Sequence, residues 1–300
     1  MTKVLVIGAS GFLGRNVAKG LLEQGCAVRC SVRSPEKVND LAAAGCEVVQ
    51  GDISDAASMA RAVESVNAVY VSIQTLSAQP AGGGQGYMDV ERQGMENIVT
   101  ACKASGVRRL IYVTFLGIRP DSPSAWVRGR WGLEQWLLQT GLEVTVLRPY
   151  QIVGKGGMGF DMMAANAKRA VAISLANGKQ RCRNIAVGDL VYYMIGVLNE
   201  PRSYGHCYDV GCDDVLTNDQ MMDVAAEVQG HGHPVKLHVP AWLLRATAPL
   251  LERASGASKG AIRAFVDASG DAVGDPMPIR QMLPRPLLSY RQAVERALKV

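Results

Sequence analysis

The chain begins with a short unbroken apolar run, Val4-Leu5-Val6-Ile7, and then enters a stretch in which Val17, Ala18, Leu21 and Leu22 recur at helical spacing. Continuous β-branched runs belong to strands covered on both faces of a parallel sheet, and the three-to-four-residue recurrence belongs to an amphipathic helix. The alternation persists through the first half. It predicts strand 3–7, helix 12–24, strand 27–32, helix 35–44, strand 47–50 and helix 55–65, followed by strand 68–73, helix 88–105, strand 109–114, helix 124–140 and strand 143–148. Gly25, Gly45, Gly106 and Gly141 stand between a helix and the next strand, where the left-handed conformation that ends a helix favours glycine. The pattern therefore predicts an α/β fold, a doubly wound Rossmann-type parallel sheet with ligands at the carboxyl ends of its strands.

The second half alternates less regularly. A helical stretch runs from about Met162 to Ala170, and Arg183–Leu190 reads as a return to the first domain, with Asp189 capping a helix over 189–199. Tyr208–Gly211 reads as a late strand, Thr217 starts a helix over 218–229, Pro240 opens another, and a helix over 286–298 closes the chain. The expected division is a dinucleotide-binding Rossmann domain over 1–155, to which 183–200 returns, and a small, mostly helical substrate or cap region over 156–182 and 201–300.

Composition narrows the class. Of the 300 residues 48% are apolar, enough for a sizeable core, yet no apolar run reaches the length of a membrane span. The start reads as a strand and not as a signal peptide, so the expected location is cytoplasmic, with no membrane partner. Seven cysteines without a CxxC pair suggest neither a disulfide framework nor a zinc site. His231-Gly232-His233 lacks companion ligands and reads as a loop, so no metal is expected. A net charge of +5 without a basic run gives no support for nucleic acid. A small-molecule substrate and a monomer or homodimer are expected.

The chemistry begins at the first strand-to-helix turn, Gly8-Ala9-Ser10-Gly11-Phe12-Leu13-Gly14. A helix start offers unpaired N–H groups and the positive end of its dipole, which suit a pyrophosphate. Gly8 permits the tight turn, Gly11 close approach of phosphate, and Gly14 close packing of helix on strand. The second strand ends at Arg33, with Lys37 behind it, where a binder of the unphosphorylated dinucleotide would carry an acid. A planar guanidinium suits a 2′-phosphate, so NADP(H) is the expected cofactor. Asp52 and Ile53, after the third strand, are expected at the adenine. Ser72, Thr114 and Pro149 stand at the carboxyl ends of later strands and join the expected cofactor contacts.

With these residues the chain resembles the short-chain dehydrogenase/reductase superfamily, in particular its atypical and extended members. Gly8-xx-Gly11-xx-Gly14, Arg33-Ser34-Pro35-Glu36-Lys37, Gly51-Asp52, Leu147-Arg148-Pro149 and Gly188-Asp189-Leu190 carry the likeness, which lies nearest to the NmrA-like group that includes relatives of a complex I accessory subunit. The resemblance implies a serine after the fifth strand and a Tyr-x-x-x-Lys pair on the next helix. Here Trp126 stands in the place of the tyrosine and Arg130 in that of the lysine. No lysine occurs between Lys103 and Lys155, and no tyrosine between Tyr112 and Tyr150.

An indole cannot supply a proton in this chemistry, and a guanidinium stays charged. Arg130 is left to hold the nicotinamide ribose or a substrate anion. Thr114 takes the place of the family's serine, and Tyr150 is the first candidate proton donor, with Lys155 in the loop Gly154–Gly159 as another. Trp126, Tyr150, Met158 and Met162 are candidate substrate contacts. The glycine tract Pro80–Gly86 reads as a lid. Two functions remain open: an NADPH-dependent reductase of a small organic substrate that lacks the usual Tyr/Lys pair, or a non-catalytic NADP(H)-binding sensor or assembly protein. A cofactor-dependent isomerase or lyase is a further alternative.

Overall fold

The computed structural model describes residues 1–73, 87–175, 178–255, 260–268 and 270–299. The glycine tract over 80–86 lies outside the described residues. The chain divides into two compact units. The first comprises Met1–Thr114, Gly129–Leu147 and Val191–Cys207, and the second Phe115–Arg128, Arg148–Leu190 and Tyr208–Val300.

The first unit is built on strands β1 (Lys3–Ile7), β2 (Ala27–Val32), β3 (Glu47–Gln50), β4 (Ala68–Val71), β5 (Arg109–Val113) and β6 (Glu143–Arg148), with α1 (Phe12–Glu23), α2 (Asn39–Ala43), α3 (Ala56–Val63), α4 (Tyr87–Ala104) and α5 (Ala125–Leu138) between them. With a late strand at His206–Asp209 they make one seven-stranded sheet, in which β6, β5, β4, β1, β2 and β3 lie in that order. Each neighbouring pair among these six is parallel and in register, for example Val4 with Val28 and with Ala68. The order reverses at β1, where β2 lies on one side and β4 on the other, which makes a doubly wound sheet.

The strand bounds follow the apolar runs because burial on both faces selects them: every residue of β4 and β5 is buried. Leu5, Val69, Leu110, Tyr112 and Val144 form the core with Met59 and Val63 of α3 and Met95 and Ile98 of α4. The helix expected over 35–44 differs. Pro35–Val38 is a tighter 3₁₀ turn, and α2 begins only at Asn39. Proline at the first position lacks an N–H, and Val38 is drawn fully into the core.

The second unit carries α6 (Met158–Ala167) and, later in the chain, α7 (Val187–Gly196), α8 (Asn218–Val228), α9 (Ala241–Ser255), α10 (Ala261–Asp267), α11 (Met277–Met282) and α12 (Tyr290–Leu298), with α7 ending in the first unit. Phe160, Met221, Met222, Tyr290 and Val294 fill its core. Thr217 starts α8 and Ser289 starts α12, each with a full capping box. Two strands that periodicity did not reveal, Val171–Leu175 and Val235–Val239, pair in parallel. Asp189 lies inside α7, which starts at Val187, and is not its cap; its carboxylate accepts from the Leu288 amide at 3.0 Å and pairs with Arg285 at 3.1 Å.

Candidate dinucleotide site

The turn after β1 is shaped by glycine at two points. Gly8 has φ +89°, and a Cβ there would lie 2.2 Å from the Ser72 carbonyl oxygen. Gly14 has no such strain, yet its Cβ would lie 2.3 Å from the Gly8 oxygen. The first turn of α1 is thereby pressed against the end of β1. Gly11 occupies the cap position in an extended conformation, no described side chain caps the helix, and its first turn holds no acid. A ligand oxygen finds there a helix start whose leading N–H groups no described side chain satisfies, and these residues fit a pyrophosphate.

Around this turn the first unit places the other expected contacts. Ser10 and Gly11 are exposed, Phe12 is half-buried, and Leu13 is buried. Arg33 and Lys37 are exposed beyond β2. Asp52 accepts from the Ser54 amide at 2.9 Å and its hydroxyl at 2.8 Å through Oδ1. Ile53 packs where a Cβ on Gly94 would approach within 2.5 Å, and its carbonyl accepts from Asn97 at 2.8 Å. The Ser72 amide donates to the Ile7 carbonyl at 3.1 Å.

Arg130 and Thr114 belong to a buried polar network. Arg130 Nε lies 2.7 Å from Glu91 Oε1, at an angle that makes an ion pair without a linear hydrogen bond, and both side chains are almost wholly buried. Arg130 also donates to the Tyr112 hydroxyl at 2.8 Å and reaches the Ile73 carbonyl at 3.5 Å. Tyr112 donates to Glu91 at 2.7 Å. Thr114 Oγ1 donates to Glu134 Oε1 at 2.5 Å, the length of a hydrogen bond to a charged oxygen. Burial alone would lower the pKa of Arg130, but the carboxylates of Glu91 and Glu134 and the hydrogen bond to Tyr112 outweigh it and raise the value. Burial pushes the Tyr112 phenol well above its ordinary range.

Glu91, Tyr112 and Glu134 were not among the candidates read from sequence. A signal for two of them existed. Glu91 falls on the stripe of α4 shared by Met95, Ile98 and Cys102, and Glu134 falls between Leu133 and Leu137 on α5. A charge on an apolar stripe requires a buried partner.

The remaining candidates lie in the second unit. Trp126 is buried and stacks on Phe115 with centroids 4.2 Å apart, and its indole N–H has no hydrogen-bond partner among the described residues. The Tyr150 hydroxyl bonds with Cys182, and burial, then that thiol, hold the phenol well above its ordinary pKa. The Pro149 carbonyl accepts from the Leu116 amide at 2.9 Å. Met158 and Met162 are exposed. His233 lies 2.6 Å from Glu227. No helix among the described residues is long and apolar enough to cross a membrane.

Comparison with known proteins agrees with this geometry. The chain is 29% identical over 145 residues to the photosystem II assembly factor Ycf39 of Cyanophora paradoxa, across 48% of this chain and 44% of that protein. It thus spans less than half the length of that relative. It is 25% identical over 235 residues to the NAD(P)H azoreductase of Xenophilus azovorans, across 78% of this chain and 75% of that one. The NADPH-dependent quinone oxidoreductase QOR2 of Escherichia coli, solved with NADPH, shares the fold with a TM-score of 0.74 at 20% identity, covering 98% of this chain and 99% of that one. The family model described as NAD(P)H-binding matches residues 8–177, more than half of the chain and starting at the first glycine of the turn. The resemblance to the short-chain dehydrogenase/reductase superfamily is thereby borne out, and the chain belongs to the NAD(P)H-binding family.

Proposed function

We propose that the protein is an NADPH-dependent reductase of a small organic substrate that works without the Tyr/Lys pair. The observation that carries this reading is the phosphate turn, capped by no described side chain and closed by Gly8 and Gly14, with Arg33 exposed beyond β2 where an acid would select the unphosphorylated dinucleotide. The azoreductase likeness over three quarters of its length supports the reaction class.

The turn at Gly8–Gly14 would hold the pyrophosphate, Arg33 and Lys37 the 2′-phosphate, and Asp52 and Ile53 the adenine. When bound, the reduced nicotinamide supplies a hydride. Arg130, Thr114 and Tyr150 offer no ready proton. Arg130 is tied to Glu91 and Tyr112, Thr114 already donates to Glu134, and Tyr150 is held as a weaker acid than a free phenol. Solvent water or the substrate's own acidic groups therefore supply the proton, and acceptors whose reduced anion is a weak base are favoured.

Mixing protein and NADPH with a naphthoquinone or a monoazo dye, and following absorbance of the reduced nicotinamide, tests this. Turnover well above the protein-free rate, lost in Gly8→Val, is expected. No turnover with either acceptor while NADPH still binds would favour the second reading, a non-catalytic NADP(H)-binding protein, to which the assembly-factor likeness points.

A further inference from the structure

The segment between β2 and β3 carries Arg33 just before, and Lys37 within, the 3₁₀ turn Pro35–Val38 that leads into α2. Several contacts hold it, among them the Gln50 side-chain amide, which donates to the Arg33 carbonyl at 3.2 Å. Val38 is fully buried, and Arg15 reaches over from α1. One Arg15 nitrogen donates to the Lys37 carbonyl at 2.7 Å and another pairs with the Asp40 carboxylate. Lys19, one helical turn further along α1, adds a contact to Asp40 at 3.2 Å. The helix that begins at the pyrophosphate turn is thus bonded to the segment that carries the two exposed cations. A planar fork bridges the carbonyl and the carboxylate from two separate nitrogens in a fixed geometry, whereas the three donors of an ammonium all sit on one nitrogen at the end of a flexible stem.

We infer that Arg15 is a specificity-determining positioning residue: by bridging Lys37 and Asp40 it holds the Arg33–Lys37 segment at a fixed distance from the pyrophosphate turn, as a 2′-phosphorylated ribose requires. This rests on the reading of Arg33 as the phosphate ligand. A segment ordered before binding loses less conformational freedom when the phosphate arrives, so the gain falls on the phosphorylated nucleotide alone.

Calorimetry with 2′,5′-ADP and 5′-AMP separates the two claims. Arg15→Ala is expected to weaken 2′,5′-ADP about tenfold and leave 5′-AMP unchanged, with Arg15→Lys recovering only part of the loss. Adding Arg15→Ala to Arg33→Ala is expected to cost less than Arg15→Ala alone, because only Lys37 then remains to be positioned, and a fully additive loss would overturn the inference. Asp40→Ala removes a negative charge, so it tightens 2′,5′-ADP if Arg15 acts through charge alone and weakens it if Arg15 acts through the bridge. Equal losses for both nucleotides, no loss in Arg15→Ala, or tighter binding in Asp40→Ala would overturn the inference. If Arg33→Ala leaves 2′,5′-ADP binding intact, it is the underlying phosphate reading that fails.

Discussion

Replacing Gly14 by alanine adds one methyl group at the point where α1 meets the end of β1. That carbon would sit 2.3 Å from the Gly8 carbonyl oxygen and 2.7 Å from its carbon, both backbone atoms that cannot rotate away. Ordinary contact begins near about 3.5 Å, so α1 must withdraw by about 1 Å. A retreat of that size stretches a hydrogen bond of about 2.9 Å from the helix start to a bound phosphate past its useful range. A hydrogen bond to a charged group is worth about 1.5–3 kcal/mol, so NADPH affinity should fall about tenfold to a hundredfold. Overpacking should also cost about 1–3 kcal/mol of stability. Gly132→Ala is the control, because that glycine is exposed in α5 and its Cβ meets nothing within 4 Å; alanine there should add about 0.5–1 kcal/mol and leave binding alone. Calorimetric titration and urea unfolding of both variants provide the readings. A folded Gly14→Ala protein that binds NADPH as tightly as the parent would refute the reasoning.

Other outcomes follow from the buried polar groups. Arg109 is buried, donates to the carbonyls of Leu198 at 2.9 Å and Val197 at 2.6 Å, lies over the Tyr204 ring, and burial pulls its pKa down to about 10. Arg109→Met removes the guanidinium donor from the Leu198 carbonyl and leaves the Val197 carbonyl only its longer contacts from Ser203 and Glu200 at 3.4 Å, and should cost about 3 kcal/mol in urea unfolding without changing NADPH affinity. Arg130→Met strands Glu91 in the core and should cost about 3–5 kcal/mol, whereas adding Glu91→Leu should restore part of that loss; additive losses in the double variant would show that the pair is not coupled. Arg15 holds the Asp40 carboxyl at about 2, below its ordinary value. Its stabilising contribution is complete above the unfolded value near about 4 and is lost as pH falls through about 2. Carbon-detected NMR titration should show that midpoint, and Arg15→Ala should return it towards the ordinary value.

Much of this was legible along the chain, and the remainder was not for physical reasons. Strands such as β1 and β4 announce themselves because their apolar residues are consecutive and burial on both faces of the sheet demands that they be so. The glycines at 25, 45, 106 and 141 mark helix ends because all four adopt positive φ. The pairing of Val171 with Val235 joins residues far apart, and neither strand carries a continuous buried run that periodicity could detect. The partner of Arg130 lies on α4, thirty-nine positions earlier, so spacing on α5 suggested a ribose ligand where the fold supplies an ion pair. The bridge from Arg15 to Lys37 and Asp40 was invisible for the same reason: it links two elements that only the sheet order brings together.

The central claim is that the turn at Gly8 to Gly14 and the cations beyond β2 bind the phosphorylated dinucleotide. Calorimetric titration of the protein with NADPH and NADH, and of Arg33→Ala with the same pair, tests it most directly. The account predicts NADPH at least about tenfold tighter, a difference of about 1.4 kcal/mol, and its loss in the variant. Equal affinities in the unmodified protein would contradict it.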